Sequence, residues 1–546
     1  MVNTNILDNR YRFFGDSQYQ KITSTNIKGV IDNLKSSYKE IVVLNHLPRL
    51  GKTYTLLEYL NNSENTLSLY VSDVHEQMNQ MAVKFDKMHV IQGAAKICPK
   101  LKDNKTSIED KSQLKFFFGG QFKRNLACRY CSTRKNCVYT KQFNYPENDL
   151  ILTIAKESLP NPKIETAFDF IIFDENMVKA ATLEPTLPEI DLNLINNLNY
   201  GAQIDFAYEN IKLISESDFT VKDDEIIKML EEDAEYLGSD RILLKTINEI
   251  NNFDFQDKKK INRVLPFMAN YYQTVEWVKK CYETGEYRPK HYKPYIHYAF
   301  DILNKYGSNL IIANATFKQS IYDRLENQYH HPLPKIKKII NTPVINKNSY
   351  LLNYRHPQGR SCSRSGLKEY GQEIFKIIHT ITRFCKKKNL KTGLITFPEY
   401  EDNFPDFDVT DHFVAHRGKN DFDDVDVLTI LGTYNMPRLG VLNKNYAITG
   451  EYLPVDSLKN WKTKTINGAK ISVPTQHTFR DTRLYLLYDE HLQTILRSGA
   501  HIQNQKTVIN FGYLPTDVET LLTYKTFTTY RQLTNGYLTK IYSQKK

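Results

Sequence analysis

The stretch Ile41–Tyr54, IVVLNHLPRLGKTY, decides how the chain is read. Ile41 to Leu44 is a short apolar run, HLPRL reads as a turn, and Gly51-Lys52-Thr53 opens the helical pattern YTLLEYL. Strand, loop, Gly-Lys-Thr and helix is the layout of a phosphate-binding loop. In such a loop the backbone N–H groups of Arg49, Leu50 and Gly51, together with the start of the next helix, surround an anion. Lys52 would reach the β- and γ-phosphates of ATP, and the Thr53 hydroxyl would sit on Mg²⁺. The loop departs from the full pattern at its first position, where His46 stands in place of glycine.

A phosphate loop needs an acidic partner, and FDFIIFDEN at 168–176 supplies one. It is an apolar strand ending in Asp174-Glu175. Asp174 would hold Mg²⁺ through water, and Glu175 would orient or deprotonate the attacking water. Around this pair, TLSLYVS, DLILTIA and SNLIIANATF read as strands and DVHEQMNQMAVKF as a helix. That alternation predicts a parallel sheet covered by helices. The pattern then starts again. GQEIFKIIHTITRFCKKKN is an amphipathic helix, GLITFPEY a strand, and DVDVLTILGTYNMPRLG a strand with a Gly/Pro loop. DEHLQTILRSGAHI reads as a helix carrying Gln493 and Arg497. An arginine presented across a domain cleft can stabilise a transferring phosphoryl group. The fold class is therefore α/β with two such domains.

Two segments interrupt the alternation. Four of the seven cysteines, Cys98, Cys128, Cys131 and Cys137, crowd into forty residues. Two of them two residues apart, a third six residues on and a fourth from upstream can close on one metal centre. Spacing alone leaves Cys₄ zinc and a [4Fe–4S] cluster both open. Arg129, Arg134 and Lys135 make this segment basic. From 185 to 305 strand signals are few, and stretches such as DEIIKMLEEDAEYL have helical spacing, so a mainly helical insertion is expected.

At 546 residues the chain exceeds one core and predicts several domains. Its 41% hydrophobic and 25% charged residues exclude a disordered protein. No apolar run approaches the ~20 residues of a membrane span. The beginning MVNTNILDNRYRFF lacks the apolar core of a signal peptide, so a cytoplasmic location is expected. A net charge of +11, from 73 basic and 62 acidic residues, suits a polyanionic partner.

The order of these elements resembles the superfamily 2 DNA helicases that carry an iron–sulfur cluster, the family of the nucleotide-excision-repair helicase. LPRLGKT resembles motif I, FIIFDEN motif II, IIANATF motif III, GKNDFDDVDVLTILGT motif V and HLQTILRSG motif VI. Gly93 to Cys98-Pro99 with CRYCSTRKNC matches the cluster segment. The resemblance implies two RecA-like motor domains, a cluster domain, a helical arch and movement on single-stranded DNA, typically 5′→3′. The expected divisions are 1–86, 141–184 and 306–320 for the first motor, 87–140 for the cluster, 185–305 for the arch and 321–546 for the second motor. Several positions depart from the family. His46 and Arg49 replace expected loop residues, Asn176 follows Asp-Glu where Ala-His is usual, and Ala500 falls where motif VI has a second arginine. A viral or mobile-element member, working in the host cytoplasm, would look like this.

The expectation is thus an ATP-dependent DNA helicase acting on single strands and duplex junctions. Two competitors stand beside it. One is a DNA-packaging ATPase, whose loops often place arginine before Gly-Lys-Thr. It needs a carboxylate-rich nuclease at the end, whereas 500–546 reads as strands and a basic tail. The other is a DNA-binding relic that no longer turns over ATP, which the loop substitutions permit.

Overall fold

The structure is a computed structural model that describes residues 29, 31–34, 38–47, 52–72, 75–92, 97, 136–142, 150–155, 167–174, 192–216, 224–237, 242, 245–246, 249, 294–329, 331–342, 346–359, 362–414, 421–436, 438–451, 460–466, 469–515 and 518–543. Seven strands build the first sheet: β1 (Ile41–His46), β2 (Leu67–Ser72), β3 (Met88–Val90), β4 (Leu150–Ala155), β5 (Phe170–Asp174), β6 (Asn309–Ala313) and β7 (Ile336–Thr342). Their order is β3-β4-β2-β5-β6-β1-β7, and every pairing is parallel.

Helices cover both faces, which is why these strands are apolar runs without a polar side. Side chains alternate between faces along each strand. Val42, Leu44, Ile172 and Ile311 pack with Leu56, Leu57 and Leu60 of helix Lys52–Asn61. Ile41, Val43, Phe173 and Ile312 pack on the other side with Ala299, Phe300 and Leu303 of helix Tyr295–Tyr306. That helix stops at Gly307, whose φ of +76° is the left-handed cap glycine adopts without strain. A side chain there would also collide with the Tyr38 ring. Within the span 185–305 the elements among the described residues are helices: Leu192–Ile195, Gly201–Glu216, Asp224–Leu237 and most of Tyr295–Tyr306.

The second sheet uses β8 (Asn346–Tyr354), β9 (Thr392–Thr396), β10 (Val409–His412), β11 (Val427–Ile430), β14 (Thr507–Asn510) and β15 (Leu522–Phe527). It runs β10-β9-β11-β14-β8-β15, again all parallel. Between β11 and β14 the chain inserts an antiparallel hairpin of β12 (Trp461–Ile466) and β13 (Ala469–Pro474). The amphipathic helix expected from GQEIFKIIHTITRFCKKKN is present as Arg364–Lys387. Ser363 caps it by accepting a hydrogen bond from Gly366 N, and Leu367, Ile374, Ile378, Ile381 and Cys385 form its buried stripe.

Three sequence readings need correction. Strand β7 pairs with β1, so the chain changes sheet between Thr342 and Asn346 and not at residue 320. The helix carrying Gln493 starts much earlier, at His477, and ends at Ile495, which leaves Arg497 on the following turn. There Arg497 N bonds Thr494 O and Gly499 N bonds Leu496 O, tightening the chain toward Gly499 at φ +72°. The end of the chain is not all strand and basic tail. After β15 comes a π-helical segment, Gln532–Leu538, and a short helix, which bury Leu533, Leu538 and Tyr542 in the second core.

The two sheets are joined by apolar packing. Val441, Leu442 and Ile448 of helix Arg438–Thr449, with Phe479, Tyr485 and Leu486 of helix His477–Ile495, belong to the core cluster of the first sheet. Gln328 Nε2 donates to Ala447 O at 3.1 Å across the same seam, and Arg324 lies 3.7 Å from Asp481.

Candidate functional site

In an open parallel sheet, ligands bind beyond the carboxyl ends of the strands, where successive connections leave in opposite directions. Strand β1 is at such a point: the next strand in sequence, β2, lies beyond β6 and β5, whereas β7 lies on the opposite side. Leu44 pairs with Ala313 and Phe173 with Ile312, so β6 and β5 end level with Leu44 and β1 runs two residues further, to His46.

At that edge helix Lys52–Asn61 begins immediately with Lys52 and Thr53. Thr53 Oγ1 donates to Asp174 Oδ2 at 2.7 Å. Tyr70 OH donates to the same oxygen, also at 2.7 Å. Two hydroxyls therefore fix one carboxylate that ends β5. Burial pulls the Lys52 amine below the ordinary lysine value, while the nearby Asp174 charge works the other way. His46, the last residue of β1, is almost fully buried, and its imidazole is pushed down to about 3, first by burial and then by the Lys52 charge. The edge thus holds one carboxylate, one amine and a neutral imidazole.

The donor set fits a hard, oxygen-seeking cation. A threonine hydroxyl beside a carboxylate is the chemistry that holds Mg²⁺ with several waters retained. Sequence reasoning missed Tyr70. Its signal is indirect, because Ser72 pairs with Asp174 and Tyr70 stands two residues back on the same face. Only knowledge that β2 neighbours β5 exposes it.

The second domain approaches through helix His477–Ile495. Asp489 Oδ1 accepts hydrogen bonds from Thr316 Oγ1 of the first domain at 2.6 Å and from Gln493 Nε2 at 3.0 Å. Tyr485 OH donates to Thr316 O at 2.9 Å. Gln493 is thereby linked to the Ala313-Asn314-Ala315-Thr316 segment, while Arg497 sits half-buried beyond the helix end. Sequence reasoning named Gln493 but not Asp489 or Tyr485, one and two turns earlier on the same face.

Of the remaining sequence candidates, Arg49, Leu50, Gly51, Glu175, Cys98, Cys128 and Cys131 lie outside the described residues. Cys137 is buried and outside any disulfide among the described residues. It opens the short helix Val138–Lys141, and Gln142 after it is tied to the edge of the sheet. His89 Nε2 lies 2.7 Å from Gln142 O, Gln92 N donates to Gln142 Oε1 at 2.8 Å, and Gln142 Nε2 donates to Gln92 O at 3.0 Å.

One other set of metal-type side chains is grouped among the described residues, at the end of β10. His412 Nδ1 lies 3.2 Å from Glu401 Oε1 and 3.6 Å from Asp411 Oδ1. The arrangement is that of an ion pair when the imidazole is protonated. No helix among the described residues is long and apolar enough to cross a membrane.

No protein-family model matches the chain, and no curated protein matches it in sequence. Solved structures align with it loosely. Xpd4 from S. tokodaii aligns over 92% of this chain and 99% of its own, with 11% identity and a TM-score of 0.44. The Escherichia coli DEAH/RHA helicase HrpB aligns over 92% of this chain and 44% of its own, with 5% identity and a TM-score of 0.33. A DEAD box protein from Methanococcus jannaschii aligns over 92% of this chain and 91% of its own, with 10% identity and a TM-score of 0.26.

Proposed function

We propose that the chain is an ATP-dependent DNA helicase or translocase of superfamily 2, built on two RecA-like motors and moving 5′→3′ on single-stranded DNA. The observation that carries this reading is the 2.7 Å bond between Thr53 and Asp174, with Lys52 beside them at the carboxyl edge of a parallel sheet.

ATP would bind at this edge. The backbone of Arg49–Gly51 and the amine of Lys52 would hold its phosphates, and Thr53 with Asp174 would hold Mg²⁺, which would neutralise phosphate charge. Glu175 orients the attacking water, and Gln493 and Arg497 complete the site from the second domain. Cys98, Cys128, Cys131 and Cys137 would supply the thiolates of a metal centre. A four-thiolate set suits a [4Fe–4S] cluster or zinc, and an iron and acid-labile sulfide assay on anaerobically purified protein separates the two. With the net charge of +11, the basic residues between these cysteines favour a nucleic-acid backbone as partner.

The deciding experiment is ATP hydrolysis with and without single-stranded DNA, beside the Lys52→Ala variant. Turnover that DNA stimulates and the variant lacks supports the motor. A folded protein that binds DNA without turnover would sink it and leave an ATPase-inactive DNA-binding protein.

A further inference from the structure

One of the hydrogen bonds between the two domains turns on the hydroxyl proton of Thr316. Thr316 Oγ1 has two acceptors within reach, Asn314 Oδ1 at 3.1 Å in its own turn and Asp489 Oδ1 at 2.6 Å in the other domain. A hydroxyl donates one proton, and the charged, nearer acceptor takes it. The same Asp489 oxygen also receives Gln493 Nε2. Asp489 and Thr316 are both almost fully buried. A buried carboxylate is costly unless hydrogen-bonded, and here its donors come from both domains.

The turn itself reports on the phosphate end of the sheet. Asn314 follows β6, the strand that lies between β1, which leads into Lys52, and β5, which ends in Asp174. Its Oδ1 accepts Thr316 N at 2.9 Å and holds the turn. Its Nδ2 is buried with no hydrogen-bond partner among the described residues, so an acceptor arriving at this edge gains that donor. Along helix His477–Ile495, residues 485, 489 and 493 recur every four positions and form one stripe facing this turn.

We infer that Asp489 is a positioning residue that passes the state of the Asn314–Thr316 turn to Gln493, so that an occupied phosphate edge and the second domain's contribution to catalysis are coupled through one carboxylate oxygen. The inference rests on the ATPase reading given above. When the turn shifts toward a bound phosphate, Thr316 draws Asp489 with it, and Asp489 in turn repositions Gln493.

The test is the set Thr316→Val, Asp489→Asn, their double variant and Thr316→Ser, assayed for DNA-stimulated ATP hydrolysis and for thermal unfolding. The two single variants should each lower kcat about tenfold with KM for ATP within about twofold, the scale of one charge-assisted hydrogen bond. The double variant should fall no further, and Thr316→Ser should restore the rate. Additive losses, or a lower melting temperature with kcat of the folded protein unchanged, would overturn the relay. If the wild type hydrolyses no ATP, the ATPase reading fails and the relay is read without turnover. Energy transfer between dyes placed in the two domains should then change on adding AMP-PNP to the wild type and not to Thr316→Val. An unchanged wild type, or an equal change in the variant, overturns the relay itself.

Discussion

The carboxyl edges of the two sheets are built alike and furnished differently. In the first, β1 leads into a helix that starts with Lys52 and Thr53, and β5 ends in a carboxylate held by two hydroxyls. In the second, β8 leads through a longer connection into helix Arg364–Lys387, whose cap is the neutral Ser363. Some of the polar groups at its strand ends bond one another, while Asn510 Oδ1 and Thr396 Oγ1 are buried with no hydrogen-bond partner among the described residues. Asn510 Nδ2 donates to Asn353 Oδ1 at 2.8 Å, and Tyr513 N donates to Thr433 Oγ1 at 3.0 Å. Burying an amine and a carboxylate costs far more than burying amides, which gives the first edge a physical reason to recruit a charged ligand. The second domain meets the first through the stripe on helix His477–Ile495, where Tyr485 and Asp489 bond Thr316.

The contrast breaks most sharply at Lys52. Lys52→Ala removes the only cation the described part of the first edge directs at a phosphate, and ATP turnover should fall about a thousandfold. Steady-state hydrolysis measures this, and a loss below tenfold would mean the edge is not the site. The counterpart in the second domain is Gly512→Ala, where the effect should be on stability. A Cβ there would sit 1.9 Å from the Gly432 carbonyl oxygen, and backbone cannot swing aside as a long side chain can. The cost should be about 3 kcal/mol, read as a lower urea midpoint. A smaller effect falls on Tyr70→Phe, which strips one of the two hydroxyls from Asp174 and leaves Thr53 in place. Stability should drop by about 1 kcal/mol and turnover by several-fold. If turnover matches the wild type, Tyr70 is scaffolding only.

How much of this was legible in the sequence follows from how local each signal is. Gly51-Lys52-Thr53 and the apolar run ending at Asp174 are contiguous patterns, and both strands lie where those patterns put them. Tyr70 and Asp489 are not local. Each acquires its role from a neighbour far along the chain, through a parallel strand pairing in one case and an interdomain hydrogen bond in the other. The place where the chain changes sheet was missed for the same reason. IKKIINT carries no mark of which sheet it will join, and only the pairing of β7 with β1 assigns it. The β12–β13 hairpin did have a local signal, alternating runs on either side of Asn467-Gly468, that went unread.

The smallest expected effect concerns His46, where the first edge departs from a glycine-led loop. Burial and the Lys52 charge hold its ring neutral, pushed down to about 3, whereas in the unfolded chain it titrates near the ordinary 6.5. Between these values the unfolded chain binds one more proton than the folded one, so stability falls as the pH drops. The loss from this ring should be about 1 kcal/mol between pH 6.5 and 5.5, and it is complete near pH 3, where the folded ring protonates as well. His46→Asn removes the titration and keeps a polar side chain. Urea midpoints for both proteins at pH 6.5 and 5.5 should therefore diverge, the wild type losing about 1 kcal/mol more than the variant. Parallel losses would mean that the ring already carries its proton in the folded state. Lys52 would then share the edge with a second cation, and the asymmetry between the two edges would lie in net positive charge instead of a single directed amine.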